Sequence, residues 1–346
     1  MNLRELSGRL GLSQTTVSRA LNGYPEVSET TRQRVVAAAE ALGYQPDARA
    51  RGLATGQARA IGHVIAGANR EGLANVVFAD VIAGVGETCG RHGYDLLMSV
   101  VSDEAEEAAY RTLARRRSVD GVILHGPIRN DPRIPLLREL GLPFVVHGRS
   151  SGAKSPYAWL DVNNRRAIER ATGFLADLGH RRIALVNGEE QHDFAFRRRE
   201  GYLAGLAARG LGEDTNIMRS AQMTEAHGHG SASAMLTGPN PPTAFIAASI
   251  VIAMGVRRAI EGRGLVMGRD VSVICFDDEI SYFPNGANDG TGEPIFTALR
   301  SPVRAAGRRC AEILLQAIEA PGAAPVTELW EADLVLGAST GPVCHT

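Results

Sequence analysis

The spacing of hydrophobic positions changes along the chain at about residue 58. In the first part, apolar residues recur four positions apart, as at Leu6 and Leu10, which is the spacing of one face of a helix. Gly11 is suited to end such a helix, and Ser13 is suited to cap the next one. The pattern predicts three short helices, at 3–10, 12–22 and 28–42.

From residue 60 onward, short apolar runs alternate with amphipathic stretches, which is typical of a parallel α/β sheet. The predicted strands form one series at 60–66, 94–100, 119–124 and 144–146, a second at 158–160, 182–186, 217–219, 243–247 and 271–276, and a last strand at 329–334. The predicted helices lie at 76–92, 103–116, 133–140, 164–178, 195–209, 225–236, 250–263 and 303–319. Two Rossmann-like halves predict a bilobed body that binds a ligand in the cleft, at the carboxyl ends of the strands.

The predicted division of the chain follows from this change of pattern. We expect an all-α helix-turn-helix domain, a short hinge helix or linker, and an α/β body of two parallel-sheet subdomains. The predicted boundaries are 1–45 for the first domain, 46–57 for the hinge and 58–346 for the body.

The second helix carries donor-rich side chains on the face opposite its apolar residues. Gln14, Thr15, Ser18 and Arg19 point outward, and such side chains read base edges or hold phosphates in the major groove. The alternative is an ordinary solvated helix face. Two short helices with a tight turn and a third, supporting helix favour DNA binding.

Three linked motifs carry a resemblance to a known family. V-S-R-A-L-N at 17–22, P-E-V-S-E-T-T-R-Q-R-V at 25–35 and L-G-Y-Q-P-D-A-R-A-R-G-L at 42–53 resemble the head of LacI/GalR-type transcriptional regulators. The resemblance implies that Gln14, Thr15 and Arg19 read bases, and that the body has the fold of periplasmic sugar-binding proteins, with the chain crossing between the lobes three times. It thereby implies an N-subdomain at about 58–156 and 284–318 and a C-subdomain at about 157–283 and 319–346. The implied DNA-contacting residues are Ser13, Gln14, Thr15, Thr16, Ser18, Arg19, Asn22, Ala50 and Leu53.

The segment after Pro46 is predicted to form a helix of only about nine residues, which is marginal in water. In the resembled family this hinge helix folds on DNA and pairs with its two-fold mate, with Leu53 entering the minor groove. The resemblance therefore implies a homodimer on a pseudo-palindromic, double-stranded operator. The alternative is a plain linker whose leucine packs on the next domain.

Composition narrows the possible functions. The net charge is −1, but residues 1–57 contain seven arginines and five acidic residues, a local net charge of +2. We expect no membrane span and no export signal, and hence a cytoplasmic, nucleoid-associated protein. The four cysteines lack metal-type spacing, so we predict no metal and no cofactor. Phosphate-loop and nucleophile motifs are missing from the sequence, which argues against an enzyme.

Several residues at strand ends and helix starts are candidates for the cleft. His125 and His147 each follow an apolar strand, although a lone histidine is often a structural residue. By resemblance, Arg198 is the effector-binding arginine, and Asp277 accepts hydrogen bonds from sugar hydroxyls. The complete predicted effector set is Arg198, Asp277, His147, His125, Phe78, Ser249 and Arg300. For Phe78 the alternative is plain core, and for Arg300 it is a cap on the final helix.

The stretches 281–286 and 294–301 resemble a subgroup of regulators of α-glucoside use. The resemblance predicts a repressor of carbohydrate-utilisation genes that a sugar-like effector, such as an α-glucoside, releases from its operator. The alternatives are a corepressor-dependent regulator with a non-sugar effector and a solute-binding protein of a transporter.

Overall fold

The computed structural model describes residues 1–44, 57–67, 76–277, 279–281, 285–286 and 292–343. Its N-terminal part contains three helices, α1 (Leu3–Leu10), α2 (Gln14–Leu21) and α3 (Glu29–Ala41). Their apolar faces meet in a small core of Leu6, Val17, Ala20, Val27, Val35 and Ala39. The three helices lie where the hydrophobic spacing predicts them, and most of the predicted hinge (46–57) lies outside the described residues.

Local hydrogen bonds explain where the first two helices begin and end. Asn2 and Glu5 form a reciprocal capping box at the start of α1. Gly11 ends this helix with φ +65°, a left-handed conformation that glycine adopts without steric cost. The Ser13 hydroxyl then accepts a hydrogen bond from the Thr16 amide at 3.0 Å and starts α2. The tight turn between α1 and α2 is therefore determined by nearby residues.

The body contains two six-stranded sheets. The first sheet has the order β11-β5-β4-β3-β1-β2, with strands β1 (Ala60–Ala66), β2 (Asp95–Val101), β3 (Gly121–His125), β4 (Phe144–His147), β5 (Ala158–Val162) and β11 (Thr327–Trp330). The second sheet has the order β12-β10-β9-β8-β6-β7, with strands β6 (Ile183–Asn187), β7 (Met218–Ser220), β8 (Ala244–Ala247), β9 (Ser272–Asp277), β10 (Thr297–Arg300) and β12 (Asp333–Val335). All pairings are parallel except that of β10 with β12.

Helices cover both faces of each sheet and complete two lobes, each named after its sheet. The helices of the body are α4 (Val76–Arg91), α5 (Glu106–Arg116), α6 (Arg133–Glu139), α7 (Asn164–Asp177), α8 (Asp193–Ala207), α9 (Glu225–Thr237), α10 (Ile250–Glu261) and α11 (Val303–Glu319). Within the described part of the chain, no helix is both long and apolar enough to cross a membrane.

The observed lobes differ from the predicted subdomains in three places. The strand predicted at 158–160 belongs to the first sheet, because β5 pairs with β4. β10 lies within the segment predicted for the N-subdomain, but it pairs with β9 in the second sheet. The last predicted strand, 329–334, is two strands in different sheets. The hydrophobic pattern locates a strand, but it carries no information about which strand lies beside it.

These pairings place the passages between lobes after β5, after β10 and after β11. The chain therefore passes between the lobes three times, as the resemblance implies. α11 returns to the first lobe, where its buried residues join the core beside β3, β4 and β5.

Close helix contacts inside each lobe depend on glycine pairs. A Cβ atom added to Gly84 of α4 would lie 2.0 Å from the carbonyl oxygen of Arg304, and one added to Gly307 of α11 would lie 2.1 Å from that of Val81. In the second lobe, Gly228 and Gly255 make the same reciprocal approach between α9 and α10. At these positions two helix backbones touch, so any side chain forces the helices apart.

We predict that Gly84→Ala destabilises the chain by about 2 kcal/mol or more, because the methyl group collides with backbone that cannot move alone. Gly86→Ala is the matched control, since nothing lies within 4 Å of its added Cβ in the same helix. That change should be neutral or stabilising by up to about 1 kcal/mol. Urea denaturation of both variants checks the difference, and equal stabilities would contradict the close-contact argument.

Candidate DNA-binding surface and interlobe cleft

The polar face of α2 is open to solvent. Val17 and Ala20 are buried against the other helices, whereas Gln14, Thr15 and Arg19 are exposed on the opposite side. These three residues therefore form one continuous donor-bearing surface on a rigid element. A short helix with this arrangement fits the major groove of duplex DNA.

The remaining residues predicted on α2 are partly used by the helix itself. The hydroxyl groups of Ser13 and Thr16 lie 2.8 Å apart at the amino end of the helix. At the carboxyl end, the Asn22 side-chain amide donates to the Ser18 carbonyl at 2.9 Å. These contacts hold the ends of α2 in position. Ala50 and Leu53 lie outside the described residues, so the structure does not place them.

In the first lobe, two of the predicted residues meet at the carboxyl edge of the sheet. His125 ends β3 and His147 ends β4, and the two residues are paired in register. Their rings are stacked with centroids 5.0 Å apart. Their Nδ1 atoms lie 2.9 Å apart, which is hydrogen-bonding distance. The pair forms one polar surface at the mouth of the cleft.

A third histidine, His63 on β1, extends this pair into what we call the histidine row, His63, His125 and His147. Phe78, at the start of α4, lies between two of them, with its ring centroid 5.1 Å from that of His63 and 5.3 Å from that of His125. The structure thus brings predicted Phe78, His125 and His147 together and adds His63, which the sequence analysis missed. Its only signal was a polar residue inside the apolar strand Ala60–Ala66.

Burial keeps the histidine row uncharged. Removal from water lowers the pKa of His63 and of His147 to about 4, and it lowers the pKa of His125 well below its usual value. The neighbouring imidazoles act in the same direction on His63 and His125. Two neutral imidazoles share an Nδ1–Nδ1 hydrogen bond only if one carries its proton on Nδ1 and the other on Nε2. His125 and His147 therefore hold opposite tautomers.

In the second lobe, Arg198 is held firmly beside aromatic rings. Its side chain comes from α8 and is 6% exposed. The guanidinium lies 3.8 Å from the ring centroid of Phe276 and 5.0 Å from that of Phe194. Its Nε donates to the Asn164 side-chain oxygen at 2.8 Å, and a terminal nitrogen donates to the Ala248 carbonyl. The arginine is thus oriented by its own lobe.

Asn164 links this arginine to the first lobe. Its side-chain nitrogen lies 3.4 Å from a carboxylate oxygen of Asp161, whose other oxygen accepts from Arg149 at 2.8 Å. Asp161 is 5% exposed, and its burial raises the pKa of the carboxyl to about 6 despite the nearby arginine. This chain of contacts follows the first passage between the lobes, from β5 into α7. The sequence analysis did not identify these residues.

A second set of contacts joins the lobes directly; we call it the lobe contact. Asp193, the first residue of α8, is fully buried and accepts hydrogen bonds from the backbone amide and, at 3.1 Å, the hydroxyl of Ser151 in the first lobe. Arg197 pairs with the same carboxylate and donates to the Ser151 hydroxyl at 2.8 Å. The guanidinium of Arg129 lies 4.3 Å from the ring centroid of Phe196. The loops that follow His125 and His147 thus rest on the helix that carries Arg198.

The three remaining predicted residues lie on or beside strands of the second lobe. Asp277 ends β9 in register with Arg300, but its side chain lies outside what the structure describes. Ser249 is 1% exposed, and its hydroxyl caps α10 by accepting from Ile252 at 3.2 Å. Arg300 pairs with Glu279 at 3.3 Å and lines an open surface pocket at the later passages between the lobes.

Metal chemistry has no support among the side chains that the structure describes. No group of three or more histidines, cysteines or carboxylates there is arranged to hold an ion, the histidine row included. Cys89, Cys275 and Cys310 are buried in the cores of the two lobes.

Comparison with known proteins covers both parts of the chain. Residues 2–47 match the family described as bacterial regulatory proteins, lacI family, and residues 172–340 match a periplasmic binding protein-like domain. The HTH-type transcriptional regulator AglR of Rhizobium meliloti (strain 1021) is 43% identical over 345 residues, which is 99% of this chain and 95% of that protein. This relative is named as a transcriptional regulator, which agrees with the prediction of a DNA-binding regulator.

Solved structures agree with this comparison. The lac repressor dimer bound to operator and the anti-inducer ONPF has a TM-score of 0.82 at 25% identity and covers 99% of both chains. The transcriptional regulator CelR–cellobiose complex has a TM-score of 0.71 at 27% identity, over 98% of this chain and 99% of that one. The predicted fold, a helix-turn-helix domain followed by a bilobed body, is confirmed.

We predict that acid weakens the fold through the histidine row. The folded chain resists protonation of His63 and His147 down to about pH 4, whereas the unfolded chain binds the protons near pH 6.5, so stability falls as the pH drops between those values. The expected slope is about 1.4 kcal/mol per pH unit for each histidine. Asp161 acts oppositely, because its raised pKa makes the folded chain bind a proton more readily below about pH 6.

A comparison of the unaltered protein with its His147→Gln variant separates the contribution of the histidine row from that of Asp161. Urea denaturation from pH 4.5 to 7.5 should give a shallower dependence for the variant, since one titrating imidazole is gone while Asp161 remains. Parallel curves for the two proteins would refute the assignment.

Proposed function

The chain belongs to the LacI family of bacterial regulatory proteins and is a DNA-binding transcriptional regulator, and we propose that it is a homodimeric repressor controlled by a neutral, sugar-like effector. One observation carries the proposal. The exposed donor face of α2 shares a chain with a two-lobed body whose carboxyl strand edges carry polar side chains, the histidine row among them. The first element suits duplex DNA, and the second suits a small hydroxyl-bearing ligand.

On DNA, α2 enters the major groove. Gln14, Thr15 and Arg19 contact base edges, while Ser13, Thr16, Ser18 and Asn22 set the orientation of the helix and contact the backbone. The hinge carries Ala50 and Leu53 into the minor groove between the two half-sites. Because its ligand is duplex DNA, the regulator works in the cytoplasm on the nucleoid.

Dimerisation uses the edge strand β2. Met98 and Val100 are 41% and 52% exposed on the same face of this strand, at the edge of the first sheet. Exposed apolar side chains beside an unpaired sheet edge are typical of a protein interface. A two-fold partner there doubles the positive charge of the N-terminal segment and spaces two recognition helices about one helical turn apart, on a pseudo-palindromic operator.

The effector lies between the histidine row and Arg198. Neutral imidazoles, a fixed guanidinium and the ring of Phe78 suit the hydroxyl groups and apolar face of a sugar. The CelR relative in complex with cellobiose supports a sugar as the class of ligand. The resemblance of 281–286 and 294–301 to regulators of α-glucoside use narrows the proposal to an α-glucoside. Asp277, Ser249 and Arg300 complete the proposed site from the second lobe.

The effector acts by changing the angle between the lobes. The lobe contact and the Asn164–Asp161–Arg149 chain both span the gap, so a ligand that favours one lobe angle also biases the hinge and the DNA-binding domains. Near-complete switching requires about a 10⁴-fold preference, roughly 5.5 kcal/mol. We expect induction, in which the ligand releases DNA; a ligand that tightens binding would indicate corepression instead.

Gel-shift titration of the full chain with duplexes from its own promoter region tests the proposal. We expect a specific complex that survives excess unrelated DNA and that dissociates when effector is added. No retained duplex at low ionic strength, with or without sugars, would overturn it.

We predict that Arg19→Ala lowers specific operator affinity by about 1–3 kcal/mol and relaxes sequence preference, because a base contact is lost. Arg19→Lys keeps the charge without the planar donor fork and should recover only part of the loss. Arg9→Ala, at an exposed arginine of α1, removes the same charge from the same domain. Gel-shift affinities for operator and scrambled duplex check this; equal losses for Arg19→Ala and Arg9→Ala on both duplexes would remove Arg19 from base reading.

We predict that Val100→Asp shifts the chain from dimer to monomer and weakens operator binding by at least tenfold, because a buried charge in the interface is unpaired. Leu329→Asp is the matched control, since Leu329 is 41% exposed on β11, at the opposite edge of the same sheet. Analytical ultracentrifugation should find this control dimeric. A dimeric Val100→Asp protein would exclude β2 from the interface.

A further inference from the structure

His63 is the buried polar residue that the fold explains least. It is 1% exposed in the middle of β1, and its Nδ1 atom has no hydrogen-bond partner. Buried polar atoms in native proteins are almost always paired, because an unpaired one destabilises the folded chain. An apolar side chain would serve the core of the first lobe better at this position. The unpaired nitrogen therefore points to a partner that is absent from the chain itself.

From this we infer that His63 is a specificity-determining residue of the effector site, whose Nδ1 bonds a hydroxyl group of a neutral, hydroxyl-rich ligand. The inference rests on the proposed function and deepens it, because it names a third imidazole in the site and the chemical class of the ligand.

The position of His63 in the lobe supports this assignment. His63 lies two residues after Ile61 in β1, so both side chains are on the same face of the sheet. Ile61 packs in the same core as Ile123 of β3 and Val145 of β4. His125 and His147 follow these two residues at the period of two that places side chains on one sheet face. All three imidazoles therefore lie on one face, and Phe78 bridges His63 and His125 on it. A ligand that contacts His125 and His147 approaches the ring of His63 along the same face of the sheet.

Donor and acceptor counting favours a neutral ligand. A neutral imidazole offers one donor and one acceptor, and a hydroxyl group can meet either role. Because His125 and His147 hold opposite tautomers, their Nε2 atoms form one donor and one acceptor side by side. An anion could use only the donors, whereas a sugar with neighbouring hydroxyls can use both.

The cations near the row are already paired within the protein. Arg133 pairs with Asp131 at 2.6 Å and with Glu106 at 3.2 Å. Arg198 donates to Asn164 and Ala248 and lies against two aromatic rings. A phosphate or carboxylate beside the histidine row would meet imidazoles that resist protonation and an Arg133 whose charge is offset by two carboxylates. The electrostatics of the first-lobe wall therefore select against charged ligands.

The test uses the full chain and two groups of probes. The neutral probes are maltose, trehalose, sucrose and glucose, and the charged probes are glucose 6-phosphate and gluconate. Thermal shift identifies which probes bind, and calorimetry gives their affinities. The variants are His63→Leu, which removes both polar nitrogens, and His63→Gln, which keeps a donor and an acceptor.

Tyr110→Phe is the matched control. The Tyr110 hydroxyl is also buried without a partner in the first lobe, but it packs in the core on the other face of the sheet. Removing it should leave ligand affinity unchanged, which shows that loss of an unpaired buried atom alone does not weaken binding.

We expect a neutral sugar to bind, with affinity reduced about tenfold or more in His63→Leu, within about threefold of the original in His63→Gln, and unchanged in Tyr110→Phe. If His63→Leu fails to fold, ¹⁵N resonances of the His63 ring in the unaltered protein should shift when that sugar is added. Equal affinity in His63→Leu, or no shift of the ring, would overturn the inference and leave a water as the partner. Binding of the charged probes alone would also overturn it. Failure of every probe to bind would overturn it as well. The gel shift tests the DNA-binding function separately.

Discussion

The buried carboxylate of Asp193 is the constraint on which the arrangement of the two lobes depends. A fully desolvated charge is stable only with close partners, and here the partners come from both lobes, Ser151 on one side and Arg197 on the other. Moving the lobes apart would remove both hydrogen bonds from Ser151, and the carboxylate would then keep Arg197 of its own helix and require water in place of Ser151. Different lobe angles therefore differ in free energy. A ligand can switch the protein by binding one of these conformations better than another.

The same helix turn connects this constraint to the ligand site. Asp193 and Arg197 stand next to Phe194 and Arg198, so the contacts that hold the lobes and the contacts proposed to hold the effector share one rigid element. A ligand that displaces α8 through Arg198 also displaces its first turn, and with it the lobe contact. This provides a direct route from cleft to lobe angle without a long chain of intermediates.

The two walls of the cleft are chemically different. The first lobe presents neutral imidazoles and an aromatic ring, and the second presents a guanidinium fixed by Asn164, Ala248 and two more rings. Donors and acceptors on one wall and donors alone on the other suit a ligand that is polar all round but uncharged. The donors and acceptors on the two walls are thus compatible with the sugar effector that we propose.

The sequence by itself determined the helix-turn-helix, the alternation of strands and helices, and the placement of His125 and His147 at strand ends and of Arg198 near the start of a helix. These features depend on residues close together in the chain, such as Asn2 with Glu5 at the start of α1 and Gly11 with Ser13 between α1 and α2. Only the tertiary structure decided that β5 and β11 belong to the first sheet, that His63 joins two distant histidines, and that Asp193 meets Ser151. The reason is that a hydrophobic period identifies the face of an element that is buried, whereas strand neighbours and contacts across a cleft depend on packing between residues far apart in the chain.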